Sequence, residues 1–469
     1  MGQTPVMVLS ILYMGSSFVY IVIEAMSVRR KKGVSVIFFV RVTYLLIYGI
    51  VPAIVHTHFY MTGETASIIS YTPGGITQLY YLYILSAIGY FALNAGYAMI
   101  IKRKSGADRP VSRPGGPMSA GSVRTLMIAA FITLVIGFAS FYLWSRAYGF
   151  PFGILKYANL LRSGNVPVQN PWSFLKYFST AMLFSSFMFF AVFLQRDVKV
   201  NKAAVFALFA FSGFWSVIYL LANDGRMSFV YFFLVFVLYR IIHRRTQKKG
   251  VFFKIVVWLG VSFVAMALAD WIMVFLRNGQ GAKTGVFSLD VLRILRSELD
   301  FTILSGQTAL SALARGLAGG RLFTDVISGF LAFLPSGFRP DGISTLSAYN
   351  SALIGMGPGE TPTDFISMCV FDMGIAGVFV LSAAFGFLLR RVENYFAGRR
   401  GNGYYDMLFV ITSLYLARFV CYADPANFVH ATFFLVIGIV IISFLNLFNS
   451  NKKYKTVHVY LKNLQNHSV

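Results

Sequence analysis

The sequence predicts an all-α membrane protein that crosses the bilayer many times. Hydrophobic residues make up 57% of the 469 residues and charged residues only 12%, a composition that soluble domains seldom have. Roughly 20 consecutive apolar residues cross a bilayer as a helix, so the apolar stretches predict about 11 spans. No long stretch has the composition of a soluble domain. We therefore expect a single integral membrane domain over residues 1–469.

The predicted spans are separated by short polar connections, with one exception described below. They are expected near residues 5–26, 34–55, 77–101, 125–146, 173–194, 203–222, 227–243, 251–276, 366–389, 406–423 and 428–448. The first basic residue is Arg29, so no positively charged segment precedes the first apolar run. We interpret that run as a retained helix and not as a cleaved signal peptide.

Lys and Arg residues are unevenly distributed between alternate connections. One set of connections, which includes a Pro/Gly/Ser-rich linker at 102–124 and the tail at 449–469, holds 26 of the 41 Lys and Arg residues; the alternate set holds 11. Cytoplasmic loops carry the Lys/Arg excess, so the first set is predicted to be cytoplasmic. The N-terminus is then outside and the C-terminus inside. The net charge of +24 reflects this topology and attraction to anionic lipid, and nucleic-acid binding is not expected.

The cysteine and histidine patterns predict neither a metal site nor a cofactor. Cys369 and Cys421 both lie in apolar segments, which argues against a disulfide framework or a metal site. His56 and His58 are separated by one residue, and Glu64 is the only acid near them. We expect these histidines to lie at the membrane interface without a metal.

One outer connection, residues 277–365, is far longer than the others and is predicted to be a large external loop. Residues 288–304 have helical periodicity, which indicates an amphipathic helix at the membrane surface. Its apolar face would carry Leu292, Leu295, Leu299 and Ile303, and its polar face Arg293, Arg296 and Asp300. The arginines could equally face only lipid headgroups. Residues 334–365 are rich in Gly, Pro, Ser and Thr, and such a loop could wrap a sugar or merely cover the surface.

The basic residues of this loop are mostly arginine. They are Arg277, Lys283, Arg293, Arg296, Arg315, Arg321 and Arg339. Arginine forms planar, bidentate contacts with phosphate and carboxylate groups. An arginine cluster beside the outer membrane surface therefore suits an anionic, lipid-linked ligand.

Two further arginines are conspicuous near the predicted outer surface. Arg226 stands in "LLANDGRMSF" (221–230), a turn between two spans that Gly225 makes possible. It could bind a ligand, or anchor the turn among headgroups beside Asp224. Arg418 falls within the outer half of a span, where a charge usually faces a cavity or a partner. Pairing with Asp270 or Asp424 is its structural alternative.

The chain resembles the bacterial Wzy-type oligosaccharide repeat-unit polymerases, which make O-antigen and capsule. The resemblance lies in the many spans with one large outer loop, "NDGRMSF" (223–229), "SAYNSALIGMGPGETPT" (347–363) and "FDMGIAG" (371–377). Two positions depart from the pattern. Met368 stands where an acid is expected, which leaves Asp364 or Asp372 to substitute. Tyr349 stands where ligase-like relatives have a histidine.

The resemblance implies a GT-C-like membrane glycosyltransferase in the bacterial inner membrane. It would transfer a growing glycan from undecaprenyl diphosphate to a hydroxyl of the next lipid-linked unit on the outer face. A flippase and a chain-length regulator are the implied protein partners. The alternatives are an O-antigen ligase or another lipid-linked glycosyltransferase, a flippase or transporter, and a non-catalytic membrane scaffold.

The candidate site residues follow from the need to neutralise a departing diphosphate and to activate a hydroxyl. Diphosphate or sugar binding is assigned to Arg226, Arg418, Arg339, Arg315, Arg321, Arg277, Tyr349 and Asn350. Catalysis is assigned to Arg226, Asp364 and Glu360, and further candidate bases are Asp341, Asp300 and His430. The alternative role for Asp364 is a helix N-cap.

Overall fold

The computed structural model is helical throughout the part of the chain that it describes, with no β-strand there. The described residues are 4–30, 34–64, 69–99, 120–163, 170–195, 199–223, 226–243, 299–321, 324–335, 338, 344–357, 361–400 and 403–466. The predicted all-α class is confirmed for these residues.

Sixteen α-helices are numbered here in chain order. They are α1 (Thr4–Arg30), α2 (Val36–Leu45), α3 (Val51–Thr62), α4 (Pro73–Ala98), α5 (Ala120–Ser145), α6 (Ala158–Ser163), α7 (Leu175–Phe178), α8 (Ala181–Leu194), α9 (Lys202–Ala222), α10 (Arg226–His243), α11 (Phe301–Ala314), α12 (Thr324–Leu331), α13 (Leu346–Leu353), α14 (Phe365–Ala397), α15 (Gly403–Cys421) and α16 (Pro425–Asn466). A π-helical segment, Leu46–Ile50, joins α2 to α3, and two 3-10 segments, Arg146–Tyr148 and Gly153–Tyr157, follow α5.

Nine helical segments of the described chain are long and apolar enough to cross a membrane, so the protein is a multi-pass membrane protein. These nine segments coincide with nine of the predicted spans. The predicted span at 227–243 is a shorter apolar helix, Met227–His243. The predicted span at 251–276 lies outside the described residues, as does most of the predicted linker at 102–124.

Glycines bring α4 and α14 into direct backbone contact at the centre of the bundle. A Cβ atom on Gly96 would lie 1.9 Å from the Ala383 carbonyl oxygen, and one on Gly386 would lie 2.0 Å from that of Leu93. Only glycine fits at such a crossing, because small residues let helix backbones approach closely. This contact fixes α14, which carries several candidate site residues, against the N-terminal helices.

One end of the bundle, which we call the loop end, is built from the segments between the later spans. The Gln307 side chain on α11 donates to the carbonyl oxygens of Ser70 and Gly75, next to the start of α4. The Ala423 amide, just after α15, donates to the Thr363 carbonyl over 2.7 Å. The loop end therefore gathers the starts of α4, α14 and α16 with the end of α15.

Helix α11 lies inside the loop end and not on a membrane surface. Leu299, Asp300 and Ile303 are all buried, although the sequence placed Asp300 on a polar face. Gly306 on α11 lies against the Leu82 side chain of α4, so the two helices pack closely. The prediction of a surface helix over 288–304 is thus wrong for residues 299–304, and its earlier part lies outside the described residues.

Helix α14 is kinked at Gly374, near its loop end. Gly374 has φ +66° and ψ −156°, a conformation that is essentially restricted to glycine. Close to the kink, the Phe371 carbonyl accepts a hydrogen bond of 2.8 Å from the Gly319 amide in the segment after α11. This hydrogen bond holds part of the predicted outer loop directly against a spanning helix.

Candidate functional site

Arg418 lies on α15 among three tyrosine rings. Its guanidinium carbon is 5.9 Å from the ring centres of Tyr231 and Tyr415, and 5.8 Å from that of Tyr422. Such distances allow cation–π attraction. Tyr231 belongs to α10, so residues of at least two helices surround the Arg418 guanidinium.

The aromatic surroundings of Arg418 continue to a second basic side chain, Lys176 on α7. Tyr219, at the end of α9, interacts electrostatically with Arg418. Its ring lies edge-on to that of Trp144, at a centre-to-centre distance of 6.2 Å. The Lys176 ammonium lies 5.9 Å from the Trp144 ring. We call this set the Arg418 cluster: Arg418, Lys176, Trp144, Tyr219, Tyr231, Tyr415 and Tyr422.

Neither cation of the Arg418 cluster has a hydrogen-bond or salt-bridge partner among the described residues. Asp424, one predicted structural partner of Arg418, instead accepts from the amides of Ser347 and Asn427. Asp270, the other, lies outside the described residues. Half-buried charges are usually paired, so two cations that lack a partner among the described residues and are connected through Trp144 and Tyr219 favour an anionic ligand.

Arg226 is brought to the same end of the bundle. It is the first residue of α10, whose Tyr231 contacts Arg418, and five helical residues correspond to an axial distance of about 7.5 Å. The helix start therefore places the Arg226 backbone close to the Arg418 cluster. The Arg226 side chain itself lies outside what the structure describes.

Arg321 has a different environment from Arg418. It donates to Asp325 over 2.8 Å and to the Ser344 carbonyl over 3.0 Å, and its guanidinium carbon lies 4.3 Å from the centre of the Tyr349 ring. Asp372 on α14 interacts electrostatically with Arg321 and Asp325. We call Arg321, Asp325, Tyr349 and Asp372 the Arg321 cluster.

Several polar atoms in the Arg321 cluster are buried without a hydrogen-bond partner in the described structure. They are Arg321 Nε, Asp325 Oδ2 and Asp372 Oδ1. Asp325 is 1% exposed and Asp372 is 8% exposed. Burial raises the pKa of the Asp325 carboxyl above its ordinary value, although the hydrogen bond from Arg321 lowers it. The cluster contains two acids and one base, whereas the Arg418 cluster contains two bases and no acid.

Asp364 caps a helix, and its carboxylate accepts several hydrogen bonds. It is fully buried, and its carboxylate accepts from the Ile366 and Ser367 amides of the first turn of α14. The hydroxyls of Tyr48 and Ser367 also donate to it. Burial raises the pKa of this carboxyl, and the side-chain hydrogen bonds from Ser367 and Tyr48 lower it. The alternative role that the sequence offered, a helix N-cap, is the observed one.

Asn350 and Tyr349 connect protein segments to each other. The buried Asn350 amide donates to Ser305 Oγ and to the carbonyls of Thr361 and Pro362, at 3.2–3.3 Å. The Tyr349 hydroxyl donates to the Leu317 carbonyl over 2.7 Å. Asn350 thus fastens the start of α14 to α11 through its amide protons, while its Oδ1 is buried without a hydrogen-bond partner in the described structure. The Tyr349 ring is part of the Arg321 cluster.

The other predicted site residues are scattered or lie outside the described chain. Arg315 is exposed and donates to the Ser311 carbonyl of its own helix. His430 contacts the Gly329 carbonyl at 2.8 Å, and Asp300 is buried with interactions of its own. Arg277, Arg339, Asp341 and Glu360 are outside the described residues.

Sequence reasoning did not single out Lys176 or Asp325. Lys176 could have been found, because it is one of four basic residues that fall within predicted spans. Asp325 carries no comparable signal, since one acid in a long loop has no periodicity. Asp372 was named as a possible substitute for a missing acid, and of the two candidates it is the one with an unpaired oxygen.

Comparisons with protein-family models, with curated proteins and with solved structures found no match.

Proposed function

We propose that this protein polymerises lipid-linked oligosaccharide repeat units by transferring the growing glycan from undecaprenyl diphosphate to a hydroxyl of the next lipid-linked unit. The observation that carries the proposal is Arg418, a guanidinium that lies among tyrosine rings and has no ionic partner in the part of the chain that the structure describes, at the loop end of a multi-pass membrane protein. Lys176 belongs to the same cluster, and α10, which begins at Arg226, supplies Tyr231 to it.

The Arg418 cluster suits the leaving group of this reaction. The acceptor oxygen forms a bond to the anomeric carbon of the donor, and the bond from that carbon to the diphosphate oxygen breaks. The electron pair stays on the diphosphate, so negative charge grows there. A cation fixed beforehand near that position stabilises the transition state more than the ground state.

The roles of the candidate residues change accordingly. Arg418 and Lys176 bind the diphosphate, and Arg226 adds a third cation from the start of α10. Arg321 is committed to Asp325, and Asp364 to its helix, so neither is proposed for these roles. The proton of the acceptor hydroxyl passes to a carboxylate, for which Glu360 and Asp341 stay as sequence predictions.

The proposal includes the finer architecture and location. The chain would be a GT-C-like enzyme of the bacterial inner membrane, with its loop end outside, its N-terminus outside and its C-terminus in the cytoplasm. The Lys/Arg excess in alternate connections supports this orientation. A flippase would supply the lipid-linked units, and a chain-length regulator would set the extent of polymerisation.

The test is the length of the glycan ladder in the host strain after deletion of this gene. Complementation with the parent chain should restore a ladder. Arg418→Ala should leave single repeat units at a normal membrane protein level, and Arg226→Ala and Arg226→Lys should shorten the polymer. Arg146→Ala is the matched control, because Arg146 is exposed in the 3-10 segment after α5 and should leave the ladder unchanged.

Three results would contradict the proposal. A deletion strain that keeps its ladder would exclude a polymerase. Loss of glycan attachment to its final carrier, with lipid-linked polymer intact, would favour a ligase. Retention of lipid-linked units on the cytoplasmic side would favour a flippase.

A further inference from the structure

We infer that the Arg321 cluster binds the terminal sugar of the acceptor unit through its hydroxyl groups, at a site separate from the diphosphate site. This inference rests on the proposed function, because that function supplies the acceptor glycan. It is carried by polar atoms in the cluster that are buried and have no partner within the described structure.

The unpartnered atoms are costly for the protein to keep. Two of them are carboxylate oxygens, on Asp325 and Asp372, and the third is the Nε–H donor of Arg321. A buried polar group without a hydrogen bond destabilises the folded state, and a charged one does so more strongly. Such groups are therefore rare in native proteins, and a ligand that donates and accepts hydrogen bonds would satisfy all three.

The chemistry of the cluster favours hydroxyl groups over an ion. A metal cation would meet the Arg321 guanidinium, which already occupies one oxygen of Asp325. An anion would meet two carboxylates. A sugar hydroxyl donates to a carboxylate and accepts from a guanidinium, so it fits a set made of two acceptors and one donor.

The charges of the two clusters also separate the sugar site from the diphosphate site. Both lipid-linked substrates carry a diphosphate at one end, but the acceptor reacts at the other end of its glycan, which has no such charge. The Arg418 cluster has two cations and no acid, so it suits a diphosphate. The Arg321 cluster has an excess of acid, so it would repel one.

Helix α14 supports one side of the cluster, and the other side is more exposed. Asp372 lies on α14 just before the kink at Gly374, which the Gly319 amide fixes through the Phe371 carbonyl. The Tyr349 ring packs against Phe371 at 5.9 Å between ring centres. Arg321 and Tyr349 are both only half-buried, so the cluster faces the surface on their side, and a ligand would displace these side chains to reach the three buried atoms.

The experiment measures two bindings on the same purified protein in nanodiscs. One probe is undecaprenyl diphosphate without sugar. The other is the free repeat-unit oligosaccharide, released by mild acid from the lipid-linked units that a strain lacking this gene accumulates. Asp372→Asn preserves the shape of the side chain and removes its charge, and Asp325→Asn is the second variant.

Loss of one charged hydrogen bond of about 1.5–3 kcal/mol corresponds to about 10- to 100-fold in affinity. We expect Asp372→Asn to lose oligosaccharide affinity by that factor and to bind undecaprenyl diphosphate as the parent does. Arg418→Ala should show the reverse pattern. Glu64→Gln is the matched control, because Glu64 is exposed near the end of α3, and it should change neither affinity.

Distinct outcomes overturn the inference and the proposed function. If Asp372→Asn and Asp325→Asn bind the oligosaccharide as tightly as the parent, the cluster holds water only and the inference fails, while the diphosphate site stands. If the parent binds the oligosaccharide but not undecaprenyl diphosphate, the proposed donor fails instead. If the parent binds neither probe, both fail. Melting temperatures of the variants, compared with that of the parent, separate lost binding from lost folding.

Discussion

Arg418 and Arg321 are both arginines of the loop end, and both lie over tyrosine rings, yet they differ in every other contact. Arg321 has a carboxylate and a carbonyl as partners, at 2.8 and 3.0 Å. Arg418 has neither among the described residues, and three tyrosines surround it. A paired arginine holds protein segments together, whereas an unpaired one in the same setting is available to a ligand.

The two clusters also differ in the charge of their surroundings. Around Arg418 the second charged side chain is Lys176, and around Arg321 the others are Asp325 and Asp372. Two substrates of one reaction that differ in charge at their reacting ends need two such environments. The predictions below test whether the clusters are structural or ligand-binding.

The largest expected effect on stability is that of Arg321→Ala. This substitution leaves Asp325 buried without its partner, and breaking a buried pair typically costs about 3–5 kcal/mol. Arg418→Ala breaks no ion pair among the described residues and should change the stability little. The measurement is the melting temperature of each purified variant in the same detergent. Equal melting temperatures for the two variants would contradict the claim that Arg321 has a structural role and Arg418 a ligand-binding one.

Gly374→Ala should have the next largest effect, through the backbone that supports Asp372. A residue with a side chain in this conformation costs about 1–3 kcal/mol. The nearest atom to an added Cβ is Leu313 Cδ1 at 3.6 Å, so the cost is strain and not a clash. Melting temperature measures it, with Gly213→Ala on α9 as control, because a Cβ there would meet nothing. A Gly374→Ala protein as stable as this control would mean that α14 can straighten freely.

Asn350→Ala should weaken the connection between α11 and the start of α14. It removes the amide that donates to Ser305, Thr361 and Pro362, and we expect a cost of about 1–2 kcal/mol. Hydrogen exchange should rise in residues 361–364. Asn427→Ala is the control, since Asn427 is exposed and only its backbone amide is bonded to Asp424. Unchanged exchange in residues 361–364 would return Asn350 to the list of sugar-binding candidates.

The smallest expected effect is the pH dependence of stability that Asp325 of the Arg321 cluster contributes. The pKa of Asp325 in the folded state is raised above 3.8, so the native state holds this proton more tightly than the unfolded chain does. Its contribution to stability is full below pH 3.8 and is lost as pH rises through the folded pKa. The melting temperature of the parent minus that of Asp325→Asn should therefore fall with rising pH. A difference that grows with pH would show that the ion pair with Arg321 outweighs burial.

The fold was largely predictable from the sequence, because bilayer thickness dictates the length of an apolar helix. Nine predicted spans coincide with apolar helices of sufficient length. The prediction of a surface helix over 288–304 was wrong for residues 299–304, because periodicity identifies an apolar face of a helix but not what covers that face. The α11 helix is buried against α4, which no local pattern in its own sequence reveals.

The site was less predictable, because the function of a charged residue depends on its partners. The sequence made both Arg321 and Arg418 candidates for diphosphate or sugar binding, and their neighbours in the structure distinguish them. Asp364 and Asp372 were equal substitutes for a missing acid, and only the hydrogen bonds to Asp364 show that it is a helix cap. Asp325 becomes a candidate only when α12 and α14, which are separate in the chain, bring it near Asp372.

The most direct test of the account is the affinity of the purified protein in nanodiscs for undecaprenyl diphosphate. The account predicts that the parent and Arg146→Ala bind it equally. Arg418→Ala should bind about 10- to 100-fold more weakly, as expected for one lost charged hydrogen bond or more. Arg418→Lys should lie between them, because lysine keeps the charge but not the planar donors. Equal affinity of the parent and Arg418→Ala would contradict the central claim that this unpaired arginine binds the lipid diphosphate.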